Sequence, residues 1–190
     1  MKLVSYPVTK QDIEQAVAKS EKHGEFNMSV MGKYKAGVTG NLGELIFWRW
    51  MNDNFIHCQD IAESKKTDFL ITGWSGKKAT VEVKLRNRTV PPKKHYNGGT
   101  YAYHVDYEVS DYYVFLSGEK LKNEIYPHTI HIVGACSHAQ FKAWGEHKRK
   151  GQPDGNGFEF KEDSYVISYD RLLSPERVLV AFYEKELNIL

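Results

Sequence analysis

Apolar and polar positions along the chain alternate with two periods, and the changes of period mark its elements. Thr9 followed three residues later by Asp12 has the spacing of a capping box. It predicts a helix running to about Lys22 and closed by Gly24. Glu25 to Val38 mixes glycines with polar residues and shows little period, which predicts a loop or irregular arm. Leu42, Leu45, Ile46 and Trp50 then fall on one stripe of a helix from Asn41 to about Asn54.

Beyond that helix the period shortens to two. Phe55–Ile61 and Asp68–Thr72 read as strands, and Gly73-Trp74-Ser75-Gly76 supplies turn chemistry. Ala79–Leu85 returns as the hairpin partner, with Thr80, Glu82 and Lys84 on one face and Ala79, Val81, Val83 and Leu85 on the other. Arg86 to Gly99, with its prolines, glycines and bases, predicts a loop. Asp111–Leu116 and Thr129–Val133 predict further strands. Ser137 with Gln140 caps a helix to about Lys148, Phe141 and Trp144 facing the core. Gly151–Gly157 reads as a loop, Tyr165–Tyr169 as a strand, and Ser174-Pro175 opens a C-terminal helix. The expected fold is α/β, a mixed central β-sheet flanked by helices, in a single domain over 1–190.

Composition changes this picture little. Hydrophobic residues make up 41% and charged residues 26%, as in ordinary globular domains. A formal net charge of +2 is too small to argue for nucleic acid by itself, so the placement of charges must carry that case. Cys58 and Cys136 match no zinc spacing and are expected as buried free thiols. Met1–Lys10 has no apolar signal core and no run reaches membrane-spanning length, so a soluble, cytoplasmic protein is expected.

The chemistry concentrates at Glu82-Val83-Lys84. A carboxylate and an ammonium two residues apart on a strand share a face, and Asp68 on the neighbouring strand adds a second acid. Two acids suit a hard divalent cation, and a lysine beside them can orient a water. With Glu44 on the upstream helix, the order helix glutamate, aspartate, Glu-x-Lys resembles the PD-(D/E)xK nuclease superfamily. The matching segments are Gly40-Asn41-Leu42-Gly43-Glu44, Thr67-Asp68 and Glu82-Val83-Lys84. The family's proline before the aspartate is Thr67 here, a position that carries no ligand. Blander readings fit the same residues: Glu44 as the third residue of a capping box with Asn41, and Glu82 and Lys84 as a solvated hairpin face.

The resemblance implies a restriction-endonuclease-like core over 39–145, after an N-terminal helix and arm (1–38) and before a C-terminal strand and helix (146–190). It implies a Mg²⁺-dependent endodeoxyribonuclease, with Mn²⁺ able to substitute and no nucleotide cofactor. Asp68, Glu82 and the Val83 backbone carbonyl would hold the metal, Lys84 would orient the attacking water, and Glu44 would hold a second ion or a water. The products would carry 5′-phosphate and 3′-hydroxyl ends, and cutting two strands with one site per chain calls for a homodimer. Restriction, junction resolution and repair or phage DNA processing all fit this chemistry. The rival from another class is a nucleic-acid-binding protein that keeps the fold without cutting.

From Lys84 to His95 there are five bases and no acid. Arg86, Asn87, Arg88, Lys93, Lys94 and His95 are therefore the expected DNA contacts. Lys148-Arg149-Lys150, expected at a helix end, fits either a phosphate contact or a favourable helix-terminus charge. Tyr96, Tyr101, Tyr103 and Tyr107 are expected mostly to pack. His128 and His131 would face opposite sides of a strand, and neither Ser137-His138 nor Cys136 sits in a nucleophile elbow.

Overall fold

A computed structural model describes residues 3–22, 31–62, 67–154 and 159–184. The chain opens with strand β1 (Val4–Pro7) and helix α1 (Lys10–Lys22). The Thr9 amide donates to Asp12 Oδ2 at 2.8 Å and the Asp12 amide to Thr9 Oγ1 at 3.2 Å, the reciprocal cap its spacing predicts. Helix α2 spans Met31–Asp53, ten residues earlier than its expected start. The part of the predicted arm over 31–38 is therefore helical, and 23–30 lies outside the described residues. Leu42, Ile46, Phe47, Trp50 and Met51 of this helix are buried, so its packing face is wider than the predicted stripe.

Strands β2 (His57–Asp60), β3 (Phe69–Thr72) and β4 (Lys78–Arg88) follow. The expected hairpin joins β3 and β4 with Phe69 opposite Val81 and Thr72 opposite Lys78, closed by a turn in which Gly76 takes φ 74°. β4 does not stop at Leu85. It continues to Arg88 because β6 (Tyr112–Glu119) runs parallel beside it, pairing Arg86, Asn87 and Arg88 with Ser117, Gly118 and Glu119. The predicted loop over Arg86–Gly99 is thus shorter, and its far end is β5 (Asn97–Tyr101). A short helix α3 (Ala102–Asp106) precedes β6, and β7 (Thr129–Ser137) follows it.

Ser137 caps α4 (His138–Trp144) with the full capping box to Gln140. This helix ends at Trp144 rather than Lys148. The Gly145 amide returns to the Phe141 carbonyl, and β8 (Glu146–Lys148) then pairs with β9 (Ser164–Ser168). Lys148-Arg149-Lys150 is accordingly no helix terminus: Lys148 pairs with Glu146, and Lys150 with Glu162 at 3.2 Å. Helix α5 (Pro175–Glu184) begins where Ser174-Pro175 predicts.

The main sheet has the order β1-β7-β6-β4-β3-β2 and is mixed, with only β4 and β6 parallel among its named neighbours. A second sheet, β5-β9-β8, is antiparallel. Alternation along β6 separates two cores. Tyr112, Val114 and Leu116 join α1, α2 and α5 on one side. Tyr113 and Phe115 join α3, α4 and β9 on the other. The fold is α/β, a mixed six-stranded sheet with helices on both faces. Gly98 lets the small sheet approach the main one, since a Cβ there would lie 2.3 Å from the Phe115 ring; a Cβ on Gly99 would lie 2.7 Å from the Tyr165 carbonyl of the neighbouring β9. Cys58 and Cys136 are free and buried. Among the described residues no helix is long and apolar enough to cross a membrane.

Candidate active site

The polar face of β4 is not a solvated hairpin face. Glu82 is only 5% exposed, and its Oε1 accepts from Lys84 Nζ at 2.5 Å. Thr80, on the same face, instead bonds Asp111 through both its amide (2.7 Å) and its hydroxyl (2.8 Å). Asp68 stands one residue before β3, just past the last paired couple of the β3–β4 ladder. Its Oδ2 accepts from the Val83 amide at 2.7 Å, which fixes it beside the Glu82–Lys84 step.

Thr67, just before Asp68, is tied on both sides. Its hydroxyl donates to the Val81 carbonyl at 3.0 Å and accepts from Ser110 at 2.9 Å. It thereby ties the start of β3 to β4 in front of Asp68.

Glu44 arrives from the opposite layer. Because α2 starts at Met31, Glu44 lies in mid-helix and caps nothing, and Asn41 bonds the Ser20 hydroxyl (2.7 Å) and the Ala16 carbonyl (3.3 Å) of α1. Gly43 sets the distance between layers: a Cβ there would lie 2.9 Å from Leu85 Cβ. That contact presses α2 against β4 and brings the next residue, Glu44, within electrostatic reach of Asp68 and Glu82. Lys19 of α1 donates to Glu44 (2.7 Å) and to Asp60 of β2 (2.7 Å). A hollow of about 360 Å³ lies beside this bridge, bordered by Lys19, Glu44, Leu45, Trp48 and Asp60.

Three carboxylates held out of water oppose one another's ionisation. Burial, and then the charge of Asp68, push Glu44 up to about 7. Burial and then Glu82 push Asp68 up to about 6, against the pull of Lys84 and the Val83 amide. Glu82 is also raised, by burial first, with Lys84 opposing. Burial alone would lower Lys19, but Glu44 and Asp60 outweigh it and hold its ammonium firmly charged. Sequence reading missed Lys19, because nothing local links residues 25 apart on different helices.

The donor set is oxygen only and carries excess negative charge, which fits a hard divalent cation in kind. As the side chains stand, Glu82 is bonded to Lys84 and Glu44 to Lys19. Among the described residues no group of three His, Cys, Asp or Glu side chains is gathered closely enough to hold an ion. Asp68 and Glu82 are the adjacent pair.

The expected DNA contacts are not alike. Arg88 is used structurally: its guanidinium donates to the Asn97 carbonyl at 2.8 Å and lies 4.4 Å from the Tyr96 ring centroid and 5.6 Å from that of Tyr169. Asn87 reaches Thr39 at 3.4 Å. Arg86 is partly exposed and 3.7 Å from Asp154. Lys93, Lys94 and His95 are exposed on the connection to β5. Arg86, Arg88 and His95 border a polar hollow of about 530 Å³.

Of the four tyrosines, most of them expected to pack, Tyr96 packs against the core beside β9. Tyr101, Tyr103 and Tyr107 are exposed. The other nucleophile and metal candidates are occupied. Cys136 is buried, which pushes its thiol up, and the Ser137 hydroxyl caps α4. His131 sits between Ser5 (2.8 Å) and Glu119 (3.2 Å), and His128 bonds Glu124 (3.0 Å). Compared with known proteins, the chain matches no family model, no curated protein and no solved structure.

Proposed function

We propose that the chain is a divalent-metal-dependent endodeoxyribonuclease with a restriction-endonuclease-like core, hydrolysing DNA phosphodiester bonds at Asp68, Glu82 and Lys84. One observation carries the reading. Residues far apart in the sequence, Glu44, Asp68, Glu82 and Lys84, act on one another in a buried setting at the junction of α2, β3 and β4. A solvated hairpin face would not bury Glu82 or raise its neighbours.

Mg²⁺ or Mn²⁺ held by Asp68, Glu82 and the Val83 carbonyl, with Glu44 acting on a second ion or through a water, would supply Lewis acidity at the scissile phosphate. The chain's own groups do the rest. The Val83 amide holds Asp68 in place. Lys84, already hydrogen-bonded at this face, orients the attacking water and offsets charge gathering on the phosphoryl oxygens. Lys19 fixes Glu44. Water oxygen bonds to phosphorus as the bond to the 3′ oxygen breaks and that oxygen takes a proton, leaving 5′-phosphate and 3′-hydroxyl ends. Arg86, Lys93, Lys94 and His95 are the proposed backbone contacts, Arg88 serving mainly to brace β5. A homodimer is part of the proposal.

The test is incubation with Mg²⁺ or Mn²⁺ and linear duplex, single-stranded and four-way-junction DNA, with product ends mapped. Cleavage leaving 5′-phosphates is expected, and the preferred substrate separates restriction-like, processing and resolvase roles. A second reading, a nucleic-acid-binding protein that does not cut, draws on the lysine-bonded state of Glu82 and Glu44. Calorimetry with Mn²⁺ separates the two: binding that Asp68→Asn abolishes supports the nuclease, and no binding supports the non-cutting protein.

A further inference from the structure

Lys84 borders a second hollow, of about 390 Å³, on the side away from Glu44's layer. Its size lies within the range of about 300–1,000 Å³ usual for small-ligand sites. Leu85, Phe160 and Val166 give it an apolar lining, Lys84, Arg86 and Lys161 give it cations, and among the described residues no carboxylate borders it. Tyr101 and His104 complete it, their rings nearly parallel at 21° with centroids 6.3 Å apart. Of the two acids on the adjoining segment, Asp106 pairs with Lys142 at 2.6 Å, and Glu108 lies 2.9 Å from His104 Nδ1.

We propose that this cleft receives an unpaired nucleotide of the DNA strand next to the scissile phosphate. The substrate class would then be DNA with exposed bases, such as single strands, flaps or bulges, rather than continuous duplex. The proposal rests on the nuclease reading for the identity of the neighbouring phosphate. A base inside a duplex stack offers only its edge, whereas an aromatic wall is matched by the face of a base that has left the stack.

The hollow combines that aromatic wall with an apolar lining and cations for the phosphates. Arg86 borders both this hollow and the polar one that includes Arg88, His95 and Asp154, the last 3.7 Å from Arg86. Two further exposed rings lie close by in the chain, Tyr103 meeting His104 edge-on at 6.0 Å and 76°. Tyr103 and Tyr107 are 51% and 75% exposed, with centroids 5.5 Å apart at 34°. Tyr101, Tyr103 and Tyr107 thus place three exposed rings within seven residues.

The experiment is fluorescence anisotropy in EDTA, where no cutting occurs, with a labelled 20-nucleotide single strand and the blunt duplex of the same sequence. The intact protein is expected to bind the single strand at least tenfold more tightly. Tyr101→Ala, on an exposed ring, is expected to lose roughly tenfold for the single strand and little for duplex, while Tyr101→Phe keeps the affinity. Thermal melting of each variant checks that the fold is retained. Equal binding of both DNAs, or single-strand binding indifferent to Tyr101→Ala, overturns the proposal. The two readings fail separately. Single-stranded and flapped DNA cut with Mg²⁺ at equal rates by the intact protein and Tyr101→Ala overturns the cleft assignment and leaves the nuclease standing. Tyr101-dependent single-strand binding without cleavage of any DNA supports the cleft and overturns the nuclease.

Discussion

Asp68 and Glu44 are carboxyls that would rather be neutral, and this has a measurable sign. Their folded-state values, about 6 and about 7, lie above the ordinary 3.8 and 4.5. The native state therefore holds more protons than the unfolded chain across that window. Their stabilising contribution is complete below about pH 4 and is lost as pH rises to about 7. Asp12 works the other way. Burial would raise it, but hydrogen bonds from Thr9 and Arg49 outweigh burial and lower it, so its contribution is lost as pH falls through the acid range. His104, lowered by burial and by Lys84, adds a loss as pH falls below its ordinary 6.5. The difference between proteins isolates the carboxyls. Asp68→Asn should be more stable than the natural chain at pH 7.5, by on the order of 2 kcal/mol, and the gap should close by pH 4. Chemical denaturation at both pH values measures it. Lys19→Met should move stability in the opposite direction at pH 7.5, by roughly 1–3 kcal/mol, because it leaves Glu44 buried without its cation.

At the scale of elements, the decisive contact is α2 against β4 at Gly43 and Leu85. Gly43→Val should destabilise by roughly 1–3 kcal/mol through overpacking, and should weaken any activity more than stability alone explains by pushing Glu44 away. A urea unfolding midpoint, read beside a cleavage rate, checks both halves. Ser137→Ala should cost about 1 kcal/mol through loss of the α4 cap, with no effect on the site. The elements that were legible from sequence are those with local signals. The Thr9–Asp12 and Ser137–Gln140 caps, the Gly73–Gly76 turn and the period-two strands on either side of it are all present. The errors fall where a distant partner decides. β4 runs on to Arg88 because β6 offers parallel hydrogen bonds, and α4 stops at Gly145 because β9 pairs with the residues beyond it. Neither partner can be seen from residues 86–88 or 145–148 themselves.

For the whole molecule, the mixed sheet separates two layers and the candidate site spans both. Glu44 and Lys19 come from the helical layer of α1 and α2, and His104 and Tyr101 from the α3 side. Sequence order was enough to gather Glu44, Asp68, Glu82 and Lys84 into one hypothesis, since the four occur in the order of a known motif. It could not show that Lys19 holds Glu44, that Arg88 is spent on Tyr96 and Tyr169, or that Tyr101, Tyr103 and Tyr107 face solvent. Those facts depend on layer packing, which has no period along the chain. The central claim is that the Asp68–Glu82–Lys84 cluster hydrolyses phosphodiester bonds. Its most direct measurement is the rate of Mg²⁺-supported DNA cleavage by the natural chain and by Glu82→Ala. Cleavage by the first and at least a hundredfold loss in the second are expected, on the order of 3 kcal/mol of transition-state stabilisation. Full-rate cleavage by Glu82→Ala would contradict that claim.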